Sequence, residues 1–135
     1  MRTFVWNVRV YWEDTDAGGV VYHARYLHFF ERARTEWLRS LGVHQQQLAE
    51  KENRIFTITN MNIDFVRAAR LDDELVVSVH SAHASGARMT FGQDMKRASD
   101  GHTIAQTHVT AACLRADQFK PTRIPGWVRA EINNA

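Results

Sequence analysis

The run Tyr11-Trp-Glu-Asp-Thr-Asp-Ala-Gly-Gly-Val-Val-Tyr-His-Ala-Arg-Tyr26 constrains this chain more than any other stretch, because conformation has to change inside it. Residues 4–12 before it are aromatic and β-branched and read as a strand, with Val8, Val10 and Trp12 on one face. After it Tyr26, Phe29, Phe30, Ala33, Trp37 and Leu41 recur at spacings of three and four, an apolar stripe that predicts a helix over about 26–41. Gly18-Gly19 marks the break between strand and helix, and Gly42 stands where a helix end accepts a left-handed residue.

Two acids, Asp14 and Asp16, precede the glycines, and a helix start follows them. The first N–H groups of a helix lack internal partners and carry about half a positive charge, so they suit an oxygen that is gaining negative charge. Tyr22, His23, Ala24 and Arg25 include none of the favoured capping residues. The open N–H groups therefore serve a ligand, or an upstream side chain reaches forward to cap them, and Asp16 is placed for either task. A regular strand would carry both Asp14 and Asp16 on the face of Val8 and Val10, so period does not choose between them.

At 135 residues with 44% apolar and 24% charged side chains, the chain suits one globular domain spanning 1–135. No segment reaches the roughly 18 apolar residues of a membrane helix, and the N-terminal residues lack a signal-peptide apolar core, so a cytoplasmic protein without an integral membrane segment is expected. A net charge of +2 without a Lys/Arg cluster argues against nucleic acid and is compatible with a small anionic ligand. The single Cys113 falls in an apolar run and reads as a buried thiol.

A second short helical turn is expected over 44–51, after which the period changes from 3.6 to 2. Ile55, Thr57, Thr59, Met61, Ile63 and Phe65 fall on one face of a long strand. Further strands are expected over 74–84, 88–97 and 103–115, joined by hairpin signals at Ser85-Gly86 and Asp100-Gly101, with Met89, Phe91 and Met95 inward. A short terminal helix is expected over about 126–132. The expected fold class is α+β, a strand and a long helix followed by four antiparallel strands, with the uncovered sheet favouring a dimer.

The motif from Tyr11 to Tyr26, with Glu31-Arg-Ala-Arg-Thr-Glu36 and Ala69-Arg-Leu-Asp-Asp73, resembles the 4-hydroxybenzoyl-CoA thioesterase family. Within it the match looks closest to the acyl-CoA thioesterases associated with the Tol–Pal envelope system. The resemblance covers most of the chain and implies a hotdog fold, an antiparallel sheet of about five strands around one long central helix. It implies acyl-CoA hydrolysis without a cofactor, with Asp16 as base or nucleophile and the backbone amide of His23 polarising the thioester carbonyl. It further implies a homodimer or a tetramer of paired dimers, with part of the pocket supplied by the partner subunit.

Around that pair, Gly19 and Tyr22 are candidate substrate contacts, and Arg88, Lys96, Lys120 and Arg123 are candidates for the phosphates of CoA. Among these basic residues Arg88 and Lys120 are the preferred pair. Asp14 and Glu13 read as solvated turn acids, and Thr15 as a turn hydroxyl. His28 and Glu31 have helical metal-ligand spacing, but no second pair matches them and no metal is expected. Two other readings remain: an acyl-thioester dehydratase or hydratase using His23 with Asp16, and a non-catalytic acyl-binding or scaffolding module of the envelope machinery. An acyl carrier protein is an alternative thioester donor.

Overall fold

The computed structural model describes residues 2–135. Strand β1 (Phe4–Arg9) leads through a 3-10 turn, Trp12–Asp14, to helix α1 (His23–Ser40) and the shorter α2 (Gln45–Glu52). Strands β2 (Arg54–Phe65), β3 (Glu74–Ser85), β4 (Arg88–Arg97) and β5 (Thr103–Arg115) follow, and helix α3 (Gly126–Asn134) closes the chain. The strands form one five-stranded sheet of order β1-β3-β4-β5-β2 in which every neighbouring pair is antiparallel. This is the expected hotdog-type α+β arrangement, with one long helix of 18 residues against the sheet.

The apolar stripe explains why α1 lies where it does. Tyr26, Phe29, Phe30, Ala33 and Trp37 are all buried, and the helix packs on β1 and β3. The inward residues of the sheet, Leu75, Val77, Met89, Phe91, Met95 and Ile104, meet that face. Gln93 is a polar exception at 0% exposure, and its side-chain amide donates to the Phe30 carbonyl at 3.0 Å. Gly42 ends α1 with φ of +84°, as its position in the sequence suggested.

Two features of the strands differ from the sequence expectation, each for a physical reason. The first strand stops at Arg9, because Val10 leaves the β3 ladder to exchange backbone bonds with the turn before β3: its N–H donates to Asp73 and its carbonyl accepts from Asp72. The alternation therefore holds through Val10, which is fully buried, and fails at Trp12, which is 82% exposed. In β2 the pairing with β5 slips between Ile58 and Asn60, leaving Thr59 as an extra residue. Such a bulge inverts the alternation. Phe56 packs on the core before it, Met61 and Ile63 after it, so residues 55–65 do not share one face as the simple period implied.

Edge placement follows from the order: β1 and β2 are the outer strands, and β2 carries exposed Ile58 and Phe65. Replacing the fully buried Phe30 by Ala should cost about 3–5 kcal/mol. Leu27→Ala, at a 40% exposed position on the same helix, should cost under about 1 kcal/mol. Urea unfolding of the two variants measures the difference.

Candidate active site

The segment between β1 and α1 folds back on itself as a short ladder. Asp16 N–H donates to the Val20 carbonyl at 2.9 Å, Thr15 and Val21 form an antiparallel bridge, and Tyr22 N–H donates to the Asp14 carbonyl at 2.9 Å. The loop at its tip closes through Gly19 N–H on the Asp16 carbonyl at 3.0 Å. Gly19 has φ of +80°, a left-handed conformation in which a side chain would be strained. At Gly18 the main-chain N–H donates to Asp16 Oδ1 at 2.8 Å, and a Cβ there would sit 3.2 Å from the same oxygen. The two glycines thus let the backbone come up to the carboxylate and turn away from it.

The two aspartates have opposite surroundings. Asp14 is 4% exposed: its Oδ2 accepts the Tyr11 N–H at 2.8 Å, and its Oδ1 lies 3.7 Å from Arg25 Nε in the first turn of α1. It is a buried strut between the 3-10 turn and the helix, not the solvated turn acid the sequence suggested. The regular strand that would have put both acids on one face does not exist, since the 3-10 turn intervenes. Asp16 is exposed, and among the described residues the hydrogen bond on its carboxylate comes from its own loop, from the Gly18 N–H. Among the described residues no side chain caps α1, so the reading in which Asp16 serves as a forward cap does not hold.

Helix α1 begins at His23, preceded by an extended Tyr22 with φ of −63° and ψ of 132°. The His23 N–H is at the first helical position, where no acceptor exists within the helix. The His23 imidazole packs against the Tyr22 ring at a centroid distance of 4.5 Å. One turn further on, the buried Tyr26 accepts the Ala69 N–H at 3.0 Å. Burial pushes the Tyr26 phenol above its ordinary pKa, the Ala69 N–H opposes that, and the negative charges of Asp16 and Asp73 add to it. Asp16 therefore lies within electrostatic reach of the first turns of α1.

The turn before β3, whose Ala69-Arg-Leu-Asp-Asp73 carried part of the motif resemblance, packs against the residues that precede α1. Val21 N–H donates to the Ala69 carbonyl at 2.8 Å, Val20 bridges to Arg70, and Ala69 is wholly buried. Arg97 ties this turn to the end of β4 through Asp73 at 3.2 Å and the Ala68 carbonyl at 2.9 Å. The buried alanine in Ala69-Arg-Leu-Asp-Asp73 was the available signal, since a larger side chain would separate the two backbones.

Of the sequence candidates, Asp16, Gly19, Tyr22 and His23 come together in this loop and helix start. Arg88 and Lys120 do not join them within one chain. Arg88 begins β4 and Arg97 ends it, a span of about 30 Å at strand rise, and only the Arg97 end borders the Asp16 loop. Lys120 accepts the Arg115 N–H through its carbonyl at the Arg88 end of the sheet. Among the described residues no three His, Cys, Asp or Glu side chains gather as a metal ligand set. Glu31, paired in the sequence reading with His28, accepts the Thr35 hydroxyl at 2.9 Å. Among the described residues no helix is long and apolar enough to cross a membrane.

The architecture is that of the hotdog thioesterases, and the chain is a thioester hydrolase. It belongs to the thioesterase-like superfamily, whose model matches residues 10–132. It is 45% identical over 131 residues to the acyl-CoA thioesterase YbgC of Haemophilus influenzae, covering 97% of this chain and 95% of that one. The acyl-CoA thioester hydrolase YbgC of Escherichia coli is 40% identical over 129 residues, covering 96% and 95%. Among solved structures, a 1,4-dihydroxy-2-naphthoyl-CoA thioesterase from Synechocystis superposes with a TM-score of 0.90 at 25% identity, covering 98% of this chain and 97% of its own.

Tyr26→Phe removes the acceptor of the Ala69 N–H and leaves that buried donor unpaired. A loss of about 1–3 kcal/mol is expected, read as a lowered thermal midpoint. Asp14→Ala should destabilise by a similar amount, because the Tyr11 N–H and Arg25 both lose their partner. The same melting experiment measures it.

Proposed function

We propose that this chain hydrolyses an acyl-CoA at the loop and helix start just described. The reading rests chiefly on one observation: the first N–H of α1, at His23, is uncapped, and an exposed carboxylate, Asp16, is held beside that helix start by its glycine turn. The YbgC relatives and the motif resemblance support it. The thioester carbonyl sits against the His23 N–H, and water or Asp16 approaches the carbonyl carbon. In the first route Asp16 takes a proton from the attacking water, the oxyanion forms against the helix terminus, and collapse expels the CoA thiolate, which recovers the proton. In the second, Asp16 attacks directly, expels the thiolate and leaves a mixed anhydride that water cleaves. One backbone donor at a developing oxyanion is worth on the order of 10²–10³ in rate.

Gly19 and Tyr22 border the acyl thioester in this proposal, and Arg88 and Lys120 contact CoA phosphates from a second copy of the chain. A second copy is favoured by the unpaired outer edge of β2 and by the exposed Ile58, Phe65 and Val66 along it. The proposal includes a homodimer, or a tetramer of two such dimers, located in the cytoplasm and allied to the Tol–Pal envelope group. A carrier-protein thioester is the alternative donor. Sedimentation of the purified chain tests the assembly, since a monomer at working concentration would remove the shared site.

Asp16→Asn keeps the loop geometry and removes the base, so thiol release from every acyl-CoA cleaved by the native chain should fall by about 10²–10⁴. Wild-type turnover in that variant would sink the assignment. His23→Ala keeps the N–H and should cost under about tenfold. His23→Pro deletes the N–H at the one helical position that tolerates proline, after a residue already extended. It should lose on the order of 10²–10³ in rate without unfolding. A panel of short, long and aromatic acyl-CoAs is the substrate set for these assays.

A further inference from the structure

Three polar side chains stand in a row on the face of the sheet turned away from α1. Gln93 and Met95 of β4 face that helix, Gln93 through its bond to the Phe30 carbonyl and Met95 in the core with Phe29 and Phe30. Asp94, between them, therefore points to the opposite face. There its Oδ2 lies 3.1 Å from Nε2 of His80 in β3, and His80 Nδ1 lies 3.0 Å from Ser81 Oγ. A carboxylate oxygen only accepts, so the hydrogen of the neutral ring sits on Nε2. Nδ1 is left as an acceptor, and the Ser81 hydroxyl donates to it. None of these groups takes part in the thioester chemistry proposed above.

The backbone is shaped around this row. In a regular strand Ser81 would face the core, opposite to His80. The pairing of β3 with β4 slips between His80 and His83, so that Ser81 and Ala82 together oppose Phe91. Such a bulge re-aims a side chain, and Ser81 is exposed on the side of His80. Its φ of +55° is left-handed, a conformation that is rare for a residue with a side chain and recurs at functional sites. Directly across from His80 stands Gly92, where a Cβ would lie 2.5 Å from His80 Cε1. The absence of a side chain at this position lets the imidazole reach over β4 to Asp94. All three polar side chains line one open groove.

We infer that Ser81 is the nucleophile of a second acyl-transfer site, one that takes activated carboxylic esters from solvent. His80 is its base, and Asp94 is a positioning residue that fixes which ring nitrogen faces the hydroxyl. Ser81 Oγ attacks the ester carbonyl carbon while its proton passes to His80 Nδ1. The bond from that carbon to the leaving alcohol oxygen then breaks, and the alcohol takes the proton back from Nδ1. The acyl group stays on Ser81 as a new ester, and no further reactant is consumed.

The test treats the full-length wild-type chain with para-nitrophenyl acetate, following nitrophenolate release and locating the acetyl group by peptide mass spectrometry. Acetylation of Ser81 is expected, with the other serines unmodified. His80→Gln should slow it by about 10²–10⁴. Gly92→Ala displaces the ring while keeping all three polar groups, and should slow it by about 10²-fold. Asp94→Ala should retain a slow reaction. Asp94→Asn should be slower still, because its amide donates to Nε2 and moves the ring hydrogen to Nδ1. A carboxylate that served the strand alone would not rank the two variants in that order. Wild-type chain without acetyl on Ser81, or with acetyl on His80 instead, would overturn the inference before any variant is made. Native acetylation rates in His80→Gln or Gly92→Ala would also overturn it. Asp16→Asn should be acetylated at Ser81 as the native chain is, so the outcome does not depend on the thioesterase mechanism.

Discussion

Two backbone hydrogen bonds hold the candidate site together, from Val21 to the Ala69 carbonyl and from Tyr22 to the Asp14 carbonyl. They fasten the residues just before α1 to two segments that arrive from different parts of the sheet. Without them the helix would still bury its stripe, because Phe29, Phe30 and Trp37 need only the sheet face. Its first N–H groups would then have no defined relation to the Asp16 loop. Buried main-chain donors must be paired, so this junction is satisfied in very few ways.

The same junction separates the roles of two chemically identical side chains. Asp14 is enclosed, takes a main-chain N–H and lies beside Arg25, while Asp16 stays exposed at the loop tip with the Gly18 N–H on its carboxylate. A buried carboxylate with its partners in place is a structural element, since moving it would strand a charge. The exposed one is free to meet water and substrate. The 3-10 turn at Trp12–Asp14 creates this division by ending the strand alternation between Val10 and Asp16.

The outer edge of β2 follows from the order of the sheet. The sheet order sends β1 to one edge and β2 to the other, although they are neighbours among the strands in sequence. Helix α1 covers the β1 side, packing on β1 and β3. Exposed apolar residues remain near the helix start, at Tyr22 and Leu27, and along β2, at Ile58 and Phe65. A chain of this size has limited means to cover both faces of such a sheet alone.

Local chemistry in the sequence determined the helix stripe of α1, the glycine break, the hairpins at Gly86 and Gly101, and the inward set Met89, Phe91 and Met95. Each depends on neighbours a few residues away, through side-chain period or the φ a turn requires. The motif resemblance, not period, singled out Asp16 and His23. Tertiary structure alone decided the pairing of β1 with β3, the bulge at Thr59 that reverses the faces of β2, the burial of Asp14 and of Ala69, and the distance of Arg88 and Lys120 from the loop. These rest on contacts between residues far apart in the chain, where backbone donors must find acceptors across the fold, and no local pattern encodes which acceptor that is.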